Sequence, residues 1–110
     1  MNFQHKELSQ GRWEKLSFFE QMANIGSEVE RAINWKNKEN KKYSELAFER
    51  ALELMNLTIT DKKNYRHLRE LTRVQENFID YFACGNNYSS SEENWKKYFY
   101  SFAFASKINA

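Results

Sequence analysis

Arg50 is the first residue whose position suggests chemistry, because it falls on the apolar face of a predicted helix. At about 100° per residue, its neighbours on that face are Leu46 and Leu54. A buried guanidinium needs a partner, and Glu28, at the edge of the preceding apolar stripe, is the predicted one. We interpret the pair as a structural ion pair. The alternatives are an arginine that reaches solvent at the edge of the fold, an anion site, or an enzyme pocket built around the pair.

Three arginines at helical spacing form a second candidate site. Arg66, Arg69 and Arg73 share one face of a predicted helix, and such a row can contact nucleic-acid phosphates. Three carboxylates stand three or four residues from these arginines or from one another: Glu70, Glu76 and Asp80. This spacing favours intrahelical pairing on a solvated face. A nucleic-acid or nucleotide-binding accessory protein is therefore the alternative function.

Glutamates recur every four residues in the second predicted helix, at Glu45, Glu49 and Glu53. Di-iron bundles hold metal with carboxylates from facing helices, but they add a Glu-x-x-His motif that is absent here. We expect these glutamates to face water. Two histidines with Cys84 make no zinc set, and Cys84 is expected to be a small buried residue. We predict no catalytic residue, metal site or cofactor, and interpret the chain as non-enzymatic.

Four helical segments must position these residues. Ser17 and Glu20 have the spacing of a capping box, and apolar residues then recur at helical intervals, which predicts a first helix over 18–37. Gly26 lies on its apolar side, where a missing side chain lets another helix approach closely. A second helix is predicted over 41–58, after a short polar turn.

The third helix is predicted over 62–84, capped by Thr60 or Asp61 and ended by Gly85. The fourth runs to about residue 107 and opens at one of two capping boxes: Ser89 with Glu92, or Ser90 with Glu93.

Four helices with short connections predict an all-α fold, an antiparallel up-down four-helix bundle. The 110 residues include no proline and fit one domain over 17–110. Residues 1–16 are expected to form an N-terminal arm that Phe3, Trp13 and Leu16 hold against the body.

Aromatic residues crowd the fourth predicted helix, where the sequence from Trp95 to Phe104 is WKKYFYSFAF. The helical period places an inner set on one stripe: Trp95, Tyr98, Phe99 and Phe102. Tyr100 and Phe104 project roughly opposite to that stripe, where a lone bundle would leave them uncovered.

The second predicted helix has a similar surplus, since Phe48, Leu52 and Met55 form a second apolar stripe beside the main one. The two surplus surfaces either cover each other within the chain or form an interface, because large exposed apolar patches are uncommon on monomers. The first hypothesis is an interaction module that forms a homodimer through these residues together with Tyr100 and Phe104.

Charge and hydropathy argue against two partner classes. A formal charge of +2 is too small to indicate nucleic acid by itself, so any basic patch must be local. No apolar run approaches the 18 or so residues of a membrane span, and the first residues lack the apolar segment of a signal peptide. A cytoplasmic protein without membrane contact is expected.

Three runs resemble those of a group of short helical proteins from bacteria and archaea: FFEQMANIGSEVERAINW, AFERALELMNLTITD and ENFIDYFACGNNYSSSEENWKKYF. This resemblance covers about residues 12 to 107 and implies a helical fold but no activity. The predicted architecture is also distantly similar to HEPN-type helical domains. Ribonucleases among those carry an arginine and a histidine several residues apart, whereas Arg66 and His67 are adjacent here.

Overall fold

The computed structural model describes residues 10–108, and within that range the fold contains helices and no strand. Five α-helices and one 3-10 helix follow in this order: α1 Gln10–Trp13, α2 Phe18–Asn37, α3 Lys41–Ile59, the 3-10 helix Lys62–His67, α4 Leu68–Ala83 and α5 Glu92–Ile108. The predicted all-α class is confirmed. No helix in the described range combines the length and the apolar character that a membrane crossing requires.

α2 begins and ends where the sequence predicts. The Ser17 hydroxyl accepts a hydrogen bond from the Glu20 amide, and the Glu20 carboxylate accepts one from the Ser17 amide, which completes the capping box. Gly26 lies in the middle of the helix, where a Cβ atom would stand only 2.7 Å from Cβ of Phe99 on α5. The predicted crossing point is therefore the contact of α2 with α5.

α2 and α3 pack side by side in opposite directions. At one end, the rings of Trp35 and Tyr43 lie 4.9 Å apart. At the other end, Asn64 donates both to Gln21 Oε1 and to the Thr58 carbonyl, which joins the start of α2 to the end of α3. A connection of only three residues between the two helices requires this antiparallel arrangement.

α4 lies against α3, and its large side chains reach α5. The ring of Phe48 on α3 lies 5.1 Å from that of Phe78 and 5.4 Å from that of Phe82, both on α4. The ring of Phe78 also lies 5.9 Å from that of Trp95 on α5. Aromatic residues thus fill the space between α3, α4 and α5, which explains why the chain carries so many of them.

The predicted third helix is wrong over its first turns, because Lys62–His67 is a 3-10 helix. Asp61 caps it by accepting a hydrogen bond from the Lys63 amide, and the Asn64 side chain is held to Thr58 and to α2. These hydrogen bonds at Asp61 and Asn64 favour the tighter i to i+3 turns of a 3-10 helix over an α-helix. Gly85, at φ +83°, follows the end of α4 and matches the predicted stop.

Both predicted capping boxes for α5 are one or two residues too early. Ser91 is the capping residue, since its hydroxyl accepts a hydrogen bond from the Asn94 amide at 3.1 Å. Ser89 has φ +56°, which is outside the extended conformation of an N-cap, and the backbone amide and carbonyl of Ser90 bond to the Asn86 side chain.

The predicted N-terminal arm lies only partly within the described residues, and Phe3 lies outside them. Trp13, at the end of α1, is completely buried in the main core. Leu16 packs against that core from its edge.

Candidate functional site

The carboxylate of Glu28 forms an ion pair with Arg31, one turn further along α2, with 3.5 Å between Oε1 and the guanidinium. Its other oxygen is buried and accepts no hydrogen bond from residues 10–108. Arg50 is half-buried on α3, the neighbouring helix. The structure therefore gives Glu28 a partner other than Arg50, and a direct bond between Arg50 and Glu28 stays a prediction.

The structure brings the three arginines of the basic row to one groove. Arg66, Arg69 and Arg73 line a cavity of about 750 Å³ bounded by the 3-10 helix, α4, α5 and the loop between α4 and α5. The other residues of its lining are polar or aromatic apart from Val74: Glu70, Val74, Asn77, Tyr88, Ser89, Ser90, Asn94, Trp95 and Tyr98. We call this cavity the arginine groove.

Two of the carboxylates predicted to pair with these arginines are engaged elsewhere. Glu70 lies 3.5 Å from the ring of His67 and accepts a hydrogen bond of 2.8 Å from the Tyr98 hydroxyl. Burial and the bond to Glu70 raise the pKa of Tyr98, so its hydroxyl remains a donor. Asp80 is buried and accepts hydrogen bonds from loop amides. The predicted intrahelical pairing is therefore wrong for Glu70 and Asp80.

The loop that borders the arginine groove is held by two side chains. Asp80 accepts the backbone amides of Asn87 and Tyr88 at 2.8 and 2.9 Å. Asn86, at φ +58°, donates to the carbonyl of Ser90 and accepts from its amide, both at 2.8 Å. The sequence indicates only a polar turn here. A carboxylate on the inner side of α4, at Asp80, is the sequence feature that could have indicated an anchor for this loop.

The outer face of α5 carries the second candidate site. Tyr100 and Phe104 are 70% and 54% exposed, and their rings stack with centroids 6.5 Å apart. Ile108, one turn further on, is 64% exposed. Beside them a groove of about 480 Å³ runs along the junction of α2 and α5, with Ala23 and Gly26 in its lining. We call these side chains and this groove the α5 surface.

The other predicted interface residues lie inside the chain, which corrects that part of the prediction. Met55 is 1% exposed and belongs to the core. Phe48 packs against Phe78, and Leu52 is partly buried against the same core. The second apolar stripe of α3 is covered because α4 lies on it, a neighbour relation that helical periodicity cannot give.

Two further expectations about exposure are wrong. Glu53 is only 7% exposed, although it was expected to face water. Cys84 is exposed, although it was expected to be buried, since the chain leaves α4 at this point.

A buried polar network, which helical periodicity did not reveal, joins α1, α2, α3 and the 3-10 helix. Trp13 Nε1 donates to Thr58 Oγ1 at 2.9 Å, and the Gln21 amide donates to the Trp13 carbonyl and to Asp61. Asn64 donates to Gln21 and to the Thr58 carbonyl, at 2.8 and 3.0 Å. Gln21, a polar residue within the apolar stripe of α2, was the sequence feature that could have indicated this network. The partners bond mainly to one another, so we interpret the network as structural.

Over residues 10–108, no three His, Cys, Asp or Glu side chains come together as a metal site would require. Comparisons of the chain with protein-family models, with curated proteins and with solved structures give no match.

Proposed function

We propose that the protein is a non-enzymatic helical interaction module that forms a homodimer through the α5 surface. The observation that carries this proposal is the stacked pair of Tyr100 and Phe104, which stays exposed while Trp95 and Phe99 of the same helix are buried. Aromatic side chains are enriched in interface cores, where they bury large areas against a partner.

The two sides of α5 differ in what covers them. Trp95 and Phe99 are each 6% exposed and pack within the chain. Tyr100 and Phe104 add nothing to that core, yet they place two large rings on one line with Ile108. A helix that is apolar on both sides needs cover on both sides, and a second protein supplies it for the outer one.

The charges beside the groove of the α5 surface suit a second copy of the chain. Glu30 on α2 borders this groove together with Lys96 and Lys97 on α5, whose ammonium groups also lie 3.1 and 3.5 Å from Glu92 and Glu93. A two-fold axis presents the same patch from both subunits, so Glu30 of one protomer can face Lys97 of its partner. Ala23, a small residue on α2, also lines this groove.

The long helices support the finer architecture that we infer, an antiparallel up-down four-helix bundle preceded by an N-terminal segment. α2, α3, α4 and α5 each pack against a neighbour that runs in the opposite direction. In such a bundle α5 lies at the periphery, where its outer face is open to a partner.

Sedimentation equilibrium at micromolar concentration tests the dimer. The apparent molecular mass should be twice the 13.3 kDa of one chain. The double substitution Tyr100→Glu and Phe104→Glu should give a monomer with unchanged helical content. The matched control, Tyr65→Glu with Leu68→Glu, changes two exposed apolar residues on another face and should leave the dimer intact.

A wild-type protein that sediments as a monomer would overturn the proposal. So would a double variant at positions 100 and 104 that still sediments as a dimer.

A further inference from the structure

The arginine groove contains cationic side chains that the fold does not neutralise. Within residues 10–108, the side chains of Arg69 and Arg73 form no ion pair and no hydrogen bond. Arg66 bonds through Nε to the hydroxyl of Tyr65, which is neutral. Glu70 is the acidic residue in the lining, and Tyr98 and His67 occupy its oxygens. The groove therefore presents a net positive charge with free guanidinium donors.

We propose that this groove binds single-stranded nucleic acid, with the arginines on successive phosphates and Tyr88 stacked on a base. The arginine row has the length for this ligand. Arg69 and Arg73 are one helical turn apart on α4, and Arg66 on the 3-10 helix extends the row to about 10 Å. A nucleic-acid strand places a phosphate about every 3.4 Å along its axis in a duplex, so the row spans more than one phosphate.

The connecting loop presents Tyr88 at the edge of the arginine groove, on a backbone that Asp80 holds. Asp80 holds the backbone amide of this tyrosine at 2.9 Å, while its ring is 65% exposed. A large ring that is open to solvent and held by a fixed backbone is a stacking platform that costs little ordering on binding. Every base offers a flat face, so stacking of this kind needs no particular sequence.

Neutral polar side chains line the groove between the arginines and Tyr88. Asn77 and Asn94 offer amide donors and acceptors, and Ser89 and Ser90 belong to the held loop. Such groups contact sugars and base edges. The groove volume of about 750 Å³ falls in the size range of small-ligand sites, which suits a nucleotide.

These features favour a single strand over the other polyanions. A duplex keeps its bases stacked inside and would leave Tyr88 without a role. An acidic peptide would use the arginines but would gain less than a base does from the flat face of an exposed ring. The α5 surface lies on another side of α5, so this binding does not depend on the proposed dimer.

Fluorescence anisotropy with a labelled oligouridylate of about ten nucleotides, a length typical of single-strand sites, tests the proposal. Arg69→Gln with Arg73→Gln should weaken binding at least tenfold. Each lost single-strand phosphate contact should also reduce the slope of log affinity against log salt by about 0.7, which makes about 1.4 for the pair. Tyr88→Ala should weaken binding by about fivefold or more and leave the salt slope unchanged.

The matched control is Lys41→Gln with Lys42→Gln, which removes two positive charges from the exposed start of α3. This variant should bind as the wild type does. Equal weakening by the lysine variant would overturn the proposal, because it would show binding by net charge alone. Competition by polyglutamate, or by duplex RNA of the same length, that equals competition by unlabelled oligouridylate would also overturn it.

Discussion

Trp13 donates a hydrogen bond from its indole nitrogen to the hydroxyl of Thr58, 2.9 Å away, and neither residue is exposed to solvent. The hydroxyl in turn donates to the Leu54 carbonyl at 2.7 Å. The bond therefore joins α1 to the end of α3 within the core. A buried donor that loses its acceptor lowers the free energy of unfolding by more than the hydrogen bond itself contributes. Stability should therefore be sensitive to substitution at this contact.

Thr58→Val should lower the free energy of unfolding by about 1 to 3 kcal/mol, because it keeps the shape of the side chain and leaves the Trp13 nitrogen without an acceptor. Urea unfolding followed by circular dichroism gives this value. In a Trp13→Phe background the same substitution should cost less, since no indole donor remains to be orphaned. Equal costs in both backgrounds would show that the bond does not stabilise the fold.

Asp61 gives the stability a defined dependence on pH. Burial alone would raise the pKa of Asp61, but hydrogen bonds from Lys63 and Gln21 outweigh it, so the pKa in the folded protein lies below the ordinary 3.8. The ionised carboxylate therefore stabilises the fold above this ordinary value. That stabilisation is lost as the pH falls through the lower pKa of the folded state.

Asp61→Asn should be less stable than the wild type at neutral pH, and the difference should shrink as the pH falls below 3.8. Urea midpoints measured from neutral to acidic pH test this. Glu76→Gln, which changes an exposed carboxylate on α4, is the control and should follow the wild-type curve. A constant difference between Asp61→Asn and the wild type at every pH would contradict the assignment.

Because Gly26 contacts Phe99, we expect a methyl group added at residue 26 to lower the stability of the fold. A Cβ atom at residue 26 would lie 2.7 Å from Cβ of Phe99, an atom fixed close to the backbone of α5. Overpacking of this kind costs about 1 to 3 kcal/mol, which exceeds the gain of up to about 1 kcal/mol from replacing glycine in a helix. Gly26→Ala should therefore lower the urea midpoint of unfolding.

Gly11→Ala is the matched control, because a Cβ atom there meets nothing within 4 Å. This variant should be as stable as the wild type or more stable, since only the helix propensity changes. A Gly26→Ala protein as stable as Gly11→Ala would show that α5 can move away from α2 at little cost.

Features encoded by neighbours along the chain were predictable from the sequence. The capping box of Ser17 and Glu20 set the start of α2, and the helical period separated buried Phe99 from exposed Tyr100 on α5. Gly26 was predicted as a crossing point because glycine on an apolar face has few other uses. The row of arginines was also visible, since its spacing is local.

Features that depend on distant partners were missed. The 3-10 helix depends on Asn64, which bonds to Gln21 on another helix. Met55 was assigned to an interface because periodicity cannot tell which helix covers a given stripe. Asp80 was interpreted as a surface charge because its partners are backbone amides of a loop, and no side-chain pattern announces them.

Asp80 is also the residue whose substitution should loosen the loop beside the arginine groove. Its two oxygens accept the amides of Asn87 and Tyr88, whereas an asparagine offers one oxygen and turns a donor toward the other amide. A hydrogen bond to a charged group contributes about 1.5 to 3 kcal/mol, so Asp80→Asn should speed hydrogen exchange at one or both amides about tenfold or more. Nuclear magnetic resonance resolves the two amides individually.

Glu76→Gln removes an exposed carboxylate from the same helix and should leave both exchange rates unchanged. Faster exchange throughout α4 in Asp80→Asn would indicate general destabilisation instead of a local effect. Exchange that rises only at Asn87 and Tyr88 would identify the carboxylate as the anchor of the loop. The orientation of Tyr88, and with it the shape of the groove, would then depend on a charge buried behind it.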